Sequence, residues 1–510
     1  MLRGRTIRTA TAALALLCAS PSLAQHGAAP TDGDTRNARA AEPMRLAELP
    51  KDSLTSHRLE LAGRTLAFKA SVSTIKLVDG RSGAPQADVV MTAFLAEGPE
   101  AGKRPVVFAL NGGPGAASAW LNLGAMGPWR VDFDGKPPRP STPAAPIPNA
   151  ETWLDFADLV FVDPPGTGYS RLTTSNDEAR RRFHSVGGDI DALAVALRKW
   201  LAANNRMGAP KYIVGESYGG FRAPKLARAL QAREGVGVDG LMLVSPVLDF
   251  GWFEGVNNPL THVARLPSYA AAARKLEGPD PRAGLKDVEA YAAQDYLVDL
   301  VRGVRDPAAL ARLAARVSAF ANVDPALALK LAGRIDLETF ARERTRAEGR
   351  VLSFYDGEVA GIDPDPFGAT SERADPILDT MKAPLAAAMA DMTANTFGWR
   401  MDARYEILNE SVNRGWDWGR GRGRIEALSE LREAMALDPA MNVSVIHGAS
   451  DLVTPYFASK MLLDQLPPLI GDRARLSVTH GGHMFYLRAD SRKAMREEAL
   501  ALLGRRGAKR

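Results

Sequence analysis

The chain has 510 residues, 46% of them hydrophobic and 24% charged, a balance that excludes fibrous, disordered and multi-span membrane classes and leaves room for one large α/β core with an inserted lobe. Its formal charge is +5, but Arg3, Arg5 and Arg8 supply three of those charges at the very start, so the remainder is nearly neutral and gives little reason to expect an acidic partner. The single cysteine, Cys18, also lies there, which excludes disulfides, cysteine nucleophiles and cysteine metal ligands from a mature chain beginning after it.

In chain order, the three arginines precede an apolar stretch at 10–18 and Ser22-Leu23-Ala24, the layout of a cleavable secretory signal over 1–24. The stretch is shorter than the roughly 20 residues of a bilayer-spanning helix, so we expect an exported protein, periplasmic or secreted from a bacterium, without a stable membrane anchor. Bulky Leu17 before Cys18 argues against a lipoprotein anchor. Residues 25–50 are rich in Ala, Gly, Asp, Pro and Thr and predict a flexible mature terminus. The β-prone runs at 65–78 and 87–95 flank Gly80, Gly83 and Pro85, as in an antiparallel hairpin.

Short, largely apolar runs follow at 105–110, 157–162, 211–214, 240–244 and 443–446, the texture of parallel strands covered on both faces. Between two of them Ile190, Leu193, Leu197, Trp200 and Leu201 recur at helical spacing, which predicts a crossover helix and a βαβ unit. Residues 253–435, rich in Ala, Arg and Leu, predict a helical cap inserted into a core made of 51–252 and 436–510. Within that region the arginine–glycine alternation at 419–424 superficially resembles nucleic-acid-binding segments, but one short run in an exported chain reads as a solvated loop, and no nucleic-acid partner is expected.

Gly215-Glu216-Ser217-Tyr218-Gly219 follows a strand-like run and precedes a helix-like one at 221–230. That is the setting of a G-x-S-x-G nucleophile elbow in an α/β-hydrolase fold, where small residues two places either side of the serine admit a sharp turn that exposes its hydroxyl. A serine needs a base to take its proton and an acid to orient that base, in the chain order Ser, Asp, His. Asp451 lies just after the apolar run at 443–446, and His480-Gly481-Gly482-His483 lies on a glycine-rich loop near the C-terminus. His26, His57, His184 and His262 lack such a context, which leaves His480 and His483 as candidate bases. A metal site of His447, His480 and His483 is disfavoured, because two glycines between the last pair break the helix that would put them on one face. Asn111-Gly112-Gly113-Pro114-Gly115, directly after the run at 105–110, occupies the position of a loop that supplies oxyanion-stabilising N–H groups.

Together these motifs resemble the serine carboxypeptidase family: Asn111 to Gly115, then Trp153 with Asp163-Pro164-Pro165-Gly166-Thr167-Gly168-Tyr169-Ser170, then Gly215-Glu216-Ser217-Tyr218 with Pro224, then Gly482-His483-Met484. The resemblance implies an α/β-hydrolase fold and removal of residues from peptide C-termini in acidic conditions. It implies Ser217 as nucleophile, His483 as base, Asp451 as its orienting acid, and the backbone N–H groups of Gly113 and Tyr218 as oxyanion donors. Asn111, Glu216 and Met484 are implied to bind substrate, the first two at its terminal carboxylate. Where the family has Glu-x-Gly-Pro, this chain has Ala125-Met126-Gly127-Pro128, so the carboxyl that would share a proton with Glu216 is replaced by a methyl group. Without that like charge Glu216 is expected to titrate lower than in the family, with activity extending toward neutral pH.

The expected function is therefore a serine-type peptidase acting at peptide C-termini through an acyl-enzyme, with no metal or organic cofactor. An esterase or acyltransferase would use the same triad and oxyanion donors. A catalytically silent binding module would instead be expected to have lost a member of the triad.

Overall fold

Wholly apolar runs such as Val-Val-Phe-Ala-Leu at Val106–Leu110, buried at every position, have no wet face, and they form the middle of one large sheet. The computed structural model describes residues 48–133, 139–141, 145–174, 177–368, 374–419 and 425–504. The signal-peptide reading of 1–24, most of the segment at 25–50 and the run at 420–424 lie outside them. The main strands are β1 (Ser53–Leu61), β2 (Arg64–Val78), β3 (Pro85–Ala96), β4 (Val106–Leu110), β5 (Asp158–Val162), β6 (Lys211–Glu216), β7 (Gly240–Val244), β8 (Asn442–Gly448) and β9 (Ala474–Thr479). They pair in the order β1-β2-β3-β5-β4-β6-β7-β8-β9, and the two-residue strand Arg171–Leu172 pairs off β3.

From β5 to β9 every pairing is parallel, whereas β1, β2, β3 and β5 pair antiparallel. The expected hairpin is thus β2 and β3, and the fold class is the expected α/β, a mostly parallel sheet with helices. Two of these main strands were not anticipated. Both lie at the ends of the sheet: β1 alternates half-buried and exposed positions over most of its length, and β9 is only partly buried, so neither carries a continuous apolar run.

Alternate residues of the central strands feed opposite layers. Val106, Phe108 and Leu110 pack in one cluster with Ile190, Leu193 and Leu197 of α1 (Val186–Ala203) and Leu226 of α2 (Tyr218–Ala229). Val107 and Ala109 pack in another with Met495, Ala499 and Leu502 of the C-terminal helix Ala489–Gly504. Covering both faces is what lets a parallel sheet be so apolar.

Between the end of β7 at Val244 and the start of β8 at Asn442 the chain is mainly helical, with one short antiparallel pair, Arg350–Leu352 with Ala360–Ile362. Several of its helical segments start the same way. Asn258-Pro259 opens α3 (Pro259–Ala273), Asp306-Pro307 opens α4 (Pro307–Ala321) and Asp324-Pro325 opens α5 (Pro325–Lys330), each with the Asn or Asp side chain accepting a first-turn N–H. The side chain satisfies a donor that has no helical partner, and proline loses nothing at a position whose N–H is unpaired. Val263, Leu266, Leu313 and Val317 of these helices share a core with Leu452, Tyr456 and Phe457. That core ties the helical segment to the chain just after β8. Among the described residues no helix is long and apolar enough to cross a membrane.

Candidate active site

Ser217 sits between β6 and α2 with φ +60° and ψ −122°. This conformation is strained for a residue bearing a Cβ, at a cost of about 1–3 kcal/mol. The turn is held by Ser217 N donating to Val244 O at 2.9 Å and Gly220 N donating to Ser217 O at 2.9 Å. A Cβ on Gly215 would stand 2.0 Å from the Gly219 carbonyl oxygen, so the small residue before the serine is a steric requirement of the elbow. Tyr218 is the first residue of α2, and its N–H has no acceptor within the helix. The Asn111–Gly115 loop closes on it, for a Cβ on Gly112 would lie 2.6 Å from Tyr218 N.

Beyond β8, Asp451 is fully buried and its carboxylate is saturated with partners. Oδ1 accepts from the N–H groups of Val453 and Thr454, both at 2.9 Å, and Oδ2 lies 2.7 Å from Thr454 Oγ1 and 2.9 Å from His483 Nδ1. A carboxylate that only accepts fixes the proton on Nδ1, and Nε2 is left as the free basic nitrogen. Burial opposes charge on Asp451, but the nearby His483 ring and the hydrogen bonds from His483 and Thr454 together hold it below the usual carboxylate range. Burial likewise works against a charged His483, yet the Asp451 charge and hydrogen bond, with Glu216 adding to them, raise the imidazole above its ordinary value.

The loop carrying His483 is packed tightly enough to exclude side chains. A Cβ on Gly482 would meet Tyr355 O at 1.9 Å, and Ser245 Oγ donates to His483 O at 2.8 Å. The other histidines weighed for a metal or base role are engaged elsewhere: His480 Nε2 lies 2.7 Å from Gly278 O and His447 Nε2 lies 2.9 Å from Ser459 Oγ. Among the described residues no group of three or more His, Cys, Asp or Glu side chains is arranged to hold a metal ion.

Ser217 and His483 open on one cavity of about 570 Å³, which Asn111, Gly113, Glu216, Tyr218 and Met484 also line. Both residues line this space, and no hydrogen bond joins Ser217 Oγ to the His483 ring among the described residues. His262, set aside on sequence context, also lines the cavity from α3, with its Nε2 2.8 Å from Val256 O.

Glu216 and Asn111 meet in the floor. Asn111 Oδ1 accepts from Leu121 N at 3.1 Å, which orients the amide so that Nδ2 donates to Glu216 Oε2 at 2.7 Å. The Asn111 carbonyl in turn accepts from Arg222 Nη1 at 2.6 Å, and Arg222 is paired with Asp189 at 2.6 Å, both essentially without exposure. Tyr486, which no motif had marked, brings its hydroxyl to 2.9 Å from Glu216 Oε2 and 3.1 Å from Oε1. Burial raises the Glu216 carboxyl to about 7, against the opposing pull of His483 and the hydrogen bonds from Tyr486 and Asn111. This rise is measured from an ordinary glutamate, whereas the expected fall is relative to the family's paired carboxyls. Losing a second carboxyl removes one upward influence, but complete desolvation supplies another and dominates.

Comparison with known proteins agrees with this architecture. Residues 93–250 match the family model described as serine carboxypeptidase. The chain is 33% identical over 178 residues to serine carboxypeptidase-like 28 of Arabidopsis thaliana, covering 32% of this chain and 36% of that protein. It is 23% identical over 368 residues to the pheromone-processing carboxypeptidase KEX1 of Yarrowia lipolytica, covering 70% of this chain and 51% of that one. The matched segments thus span about a third to a half of these curated relatives. The crystal structure of Kex1(delta)p, a prohormone-processing carboxypeptidase from Saccharomyces cerevisiae, superposes with a TM-score of 0.55 at 15% identity, covering 86% of this chain and 91% of that one. That likeness shows the shared fold, and over residues 93–250 the chain is similar to the serine carboxypeptidase family.

Proposed function

We propose that the protein is a serine-type carboxypeptidase that removes residues from peptide C-termini through an acyl-enzyme. The observation that carries this reading is that Ser217, His483 and the Asn111–Glu216 pair share one cavity, so a hydroxyl, a base and a carboxylate-binding floor face the same space. In this mechanism the Ser217 oxygen attacks the last peptide carbonyl while His483 Nε2 takes its proton. Asp451 stabilises the resulting imidazolium through Nδ1–H. The backbone N–H groups of Gly113 and Tyr218 hold the oxyanion. Collapse of the tetrahedral intermediate breaks the C–N bond, His483 gives its proton to the departing amine, and a water then cleaves the ester by the same steps in reverse order.

Asn111 and Glu216 would bind the free terminal carboxylate, with Met484 beside them. Asn111 donates through Nδ2, and Glu216 donates while protonated, which its pKa of about 7 allows up to near-neutral pH. An esterase or acyltransferase would share the triad, but a substrate without a terminal carboxylate has no use for this floor, which favours the peptidase. The segment at 253–435 is read as a cap over the core, since Phe253, His262, Leu337, Tyr355 and Trp418 from it line the cavity and would shape side-chain preference. Export to the periplasm after loss of 1–24 is part of the same reading. Incubating the purified mature protein with a mixed peptide pool and reading products by mass tests it. Stepwise loss from free C-termini, abolished by Ser217→Ala and blocked by C-terminal amidation, is expected, and internal cuts or intact peptides would refute it.

A further inference from the structure

Glu216 lines the cavity and is held from within the protein by two hydrogen-bond partners, Asn111 and Tyr486. Asn111 reaches it from the loop after β4, and because its own oxygen is occupied by Leu121 N, the amide can only donate. Where the resembled family has Glu-x-Gly-Pro, this chain has Ala125, preceded by Gly124, and both have almost no side chain. Tyr486, from the short turn Phe485–Leu487 just after His483, packs against Gly124. A Cβ on Gly124 would stand 2.8 Å from Tyr486 Cε2, so the ring sits where any larger residue at 124 would be, and its hydroxyl reaches both Glu216 oxygens at 2.9 Å and 3.1 Å.

We propose that Tyr486 is the positioning residue of the carboxylate-recognition floor, its hydroxyl replacing the absent carboxyl as the donor that holds Glu216 and turns the Glu216 proton toward the substrate. The inference rests on the carboxypeptidase reading above. Two fixed donors, Asn111 Nδ2 and the Tyr486 hydroxyl, occupy the carboxyl from within the protein. When Glu216 is protonated, its O–H is then left to point into the cavity, where a substrate carboxylate accepts it. Unlike a second carboxyl, a phenol does not titrate with Glu216. Burial, then the neighbouring Glu216 charge, keep the Tyr486 proton in place far into alkali. The remaining charges that act on Glu216 are His483, which favours its ionised form, and Asp451, which opposes it. Recognition of a free C-terminus thus follows one ionisation instead of a shared proton. Removing the Tyr486 donor takes support from the ionised form and moves that ionisation upward.

The test is Tyr486→Phe in the full mature chain, with Glu216 followed by its carboxyl stretch in infrared difference titration, assigned by subtraction of Glu216→Gln. In parallel, kcat and KM are measured across acid to mildly alkaline pH for an acyl dipeptide and its C-terminal amide. The expected result is an upward move of the infrared midpoint by about one pH unit, the same move in the pH at which KM for the free acid worsens, and a smaller change in kcat than in KM. Replacing Tyr486 by a ring-fluorinated tyrosine, a stronger donor of nearly the same shape, moves both midpoints down, and this opposite sign separates donation from mere packing. Midpoints that stay put in both variants overturn the proposal. If no peptide loses its terminal residue, the carboxypeptidase reading falls, and the infrared midpoints still decide whether Tyr486 governs Glu216.

Discussion

His483 donates through Nδ1 to an Asp451 carboxylate that has no proton of its own to give, and the chemistry proposed for Nε2 depends on that tautomer. Asp451→Asn presents an amide that can donate to Nδ1, which draws the ring toward the opposite tautomer. We expect kcat/KM on a free-acid peptide to fall on the order of 10⁴-fold, with the melting temperature changing little by comparison. Glu216 gives a second expectation at this scale. Below its pKa of about 7 it is neutral and, in the proposed mechanism, donates to the substrate carboxylate, whereas above it two negative charges would face each other. KM for free-acid peptides should therefore rise as pH passes 7, while KM for the matching C-terminal amides should not follow. A free-acid KM that stays flat through that range would remove Glu216 from substrate binding.

The elements that carry these residues are specified by local sterics and by helix ends. At the elbow, Gly215→Ala drives a methyl group to 2.0 Å from the Gly219 carbonyl, so β6 and α2 cannot keep their junction. The expected outcome is loss of phosphonate labelling at Ser217 together with a stability loss of about 1–3 kcal/mol, read by denaturant unfolding. At the start of α4, Asp306 Oδ1 accepts from the N–H groups of Ala308 and Ala309 at 3.0 and 3.1 Å. Asp306→Ala should cost about 1 kcal/mol of stability and leave any turnover by the folded protein largely alone, because this helix cap lies in the helical segment and holds none of the groups proposed to react. A matching fall in kcat for Asp306→Ala would mean that the helices between β7 and β8 are coupled to the chemistry.

Over the whole molecule, the site is built at a cost to the fold. The Glu216 pKa is raised from 4.5 to about 7 by burial, so the folded chain holds this proton more tightly than the unfolded chain does. The resulting stabilisation is complete below the unfolded pKa and is lost as pH rises through the folded one, an effect of up to about 3 kcal/mol. Glu216→Gln, which carries no charge to bury, should melt close to the parent in mild acid and above it at alkaline pH. Equal melting temperatures at both ends would show that water reaches Glu216. The buried Arg222–Asp189 pair behind Asn111 adds a second global constraint. Asp189→Ala strands a guanidinium in the core and should cost about 3–5 kcal/mol.

Much of this was written locally in the chain. The apolar runs announced the parallel strands because a strand covered on both faces needs no polar residue, and the elbow announced itself because only small residues fit at Gly215 and Gly219. The Asn-Pro and Asp-Pro helix starts at 258, 306 and 324 were equally local, although the sequence reading passed over them. What only the tertiary structure decided is what lies between distant segments. β1 and β9, half-wetted at the ends of the sheet, carried no distinctive run. Tyr486 meets Glu216 across 270 residues, and Arg222 meets Asn111 across 111, with no motif joining them. The rise of Glu216 above the ordinary glutamate value was not legible for the same reason, since a carboxyl's desolvation is set by everything packed around it and not by the residues beside it in the chain.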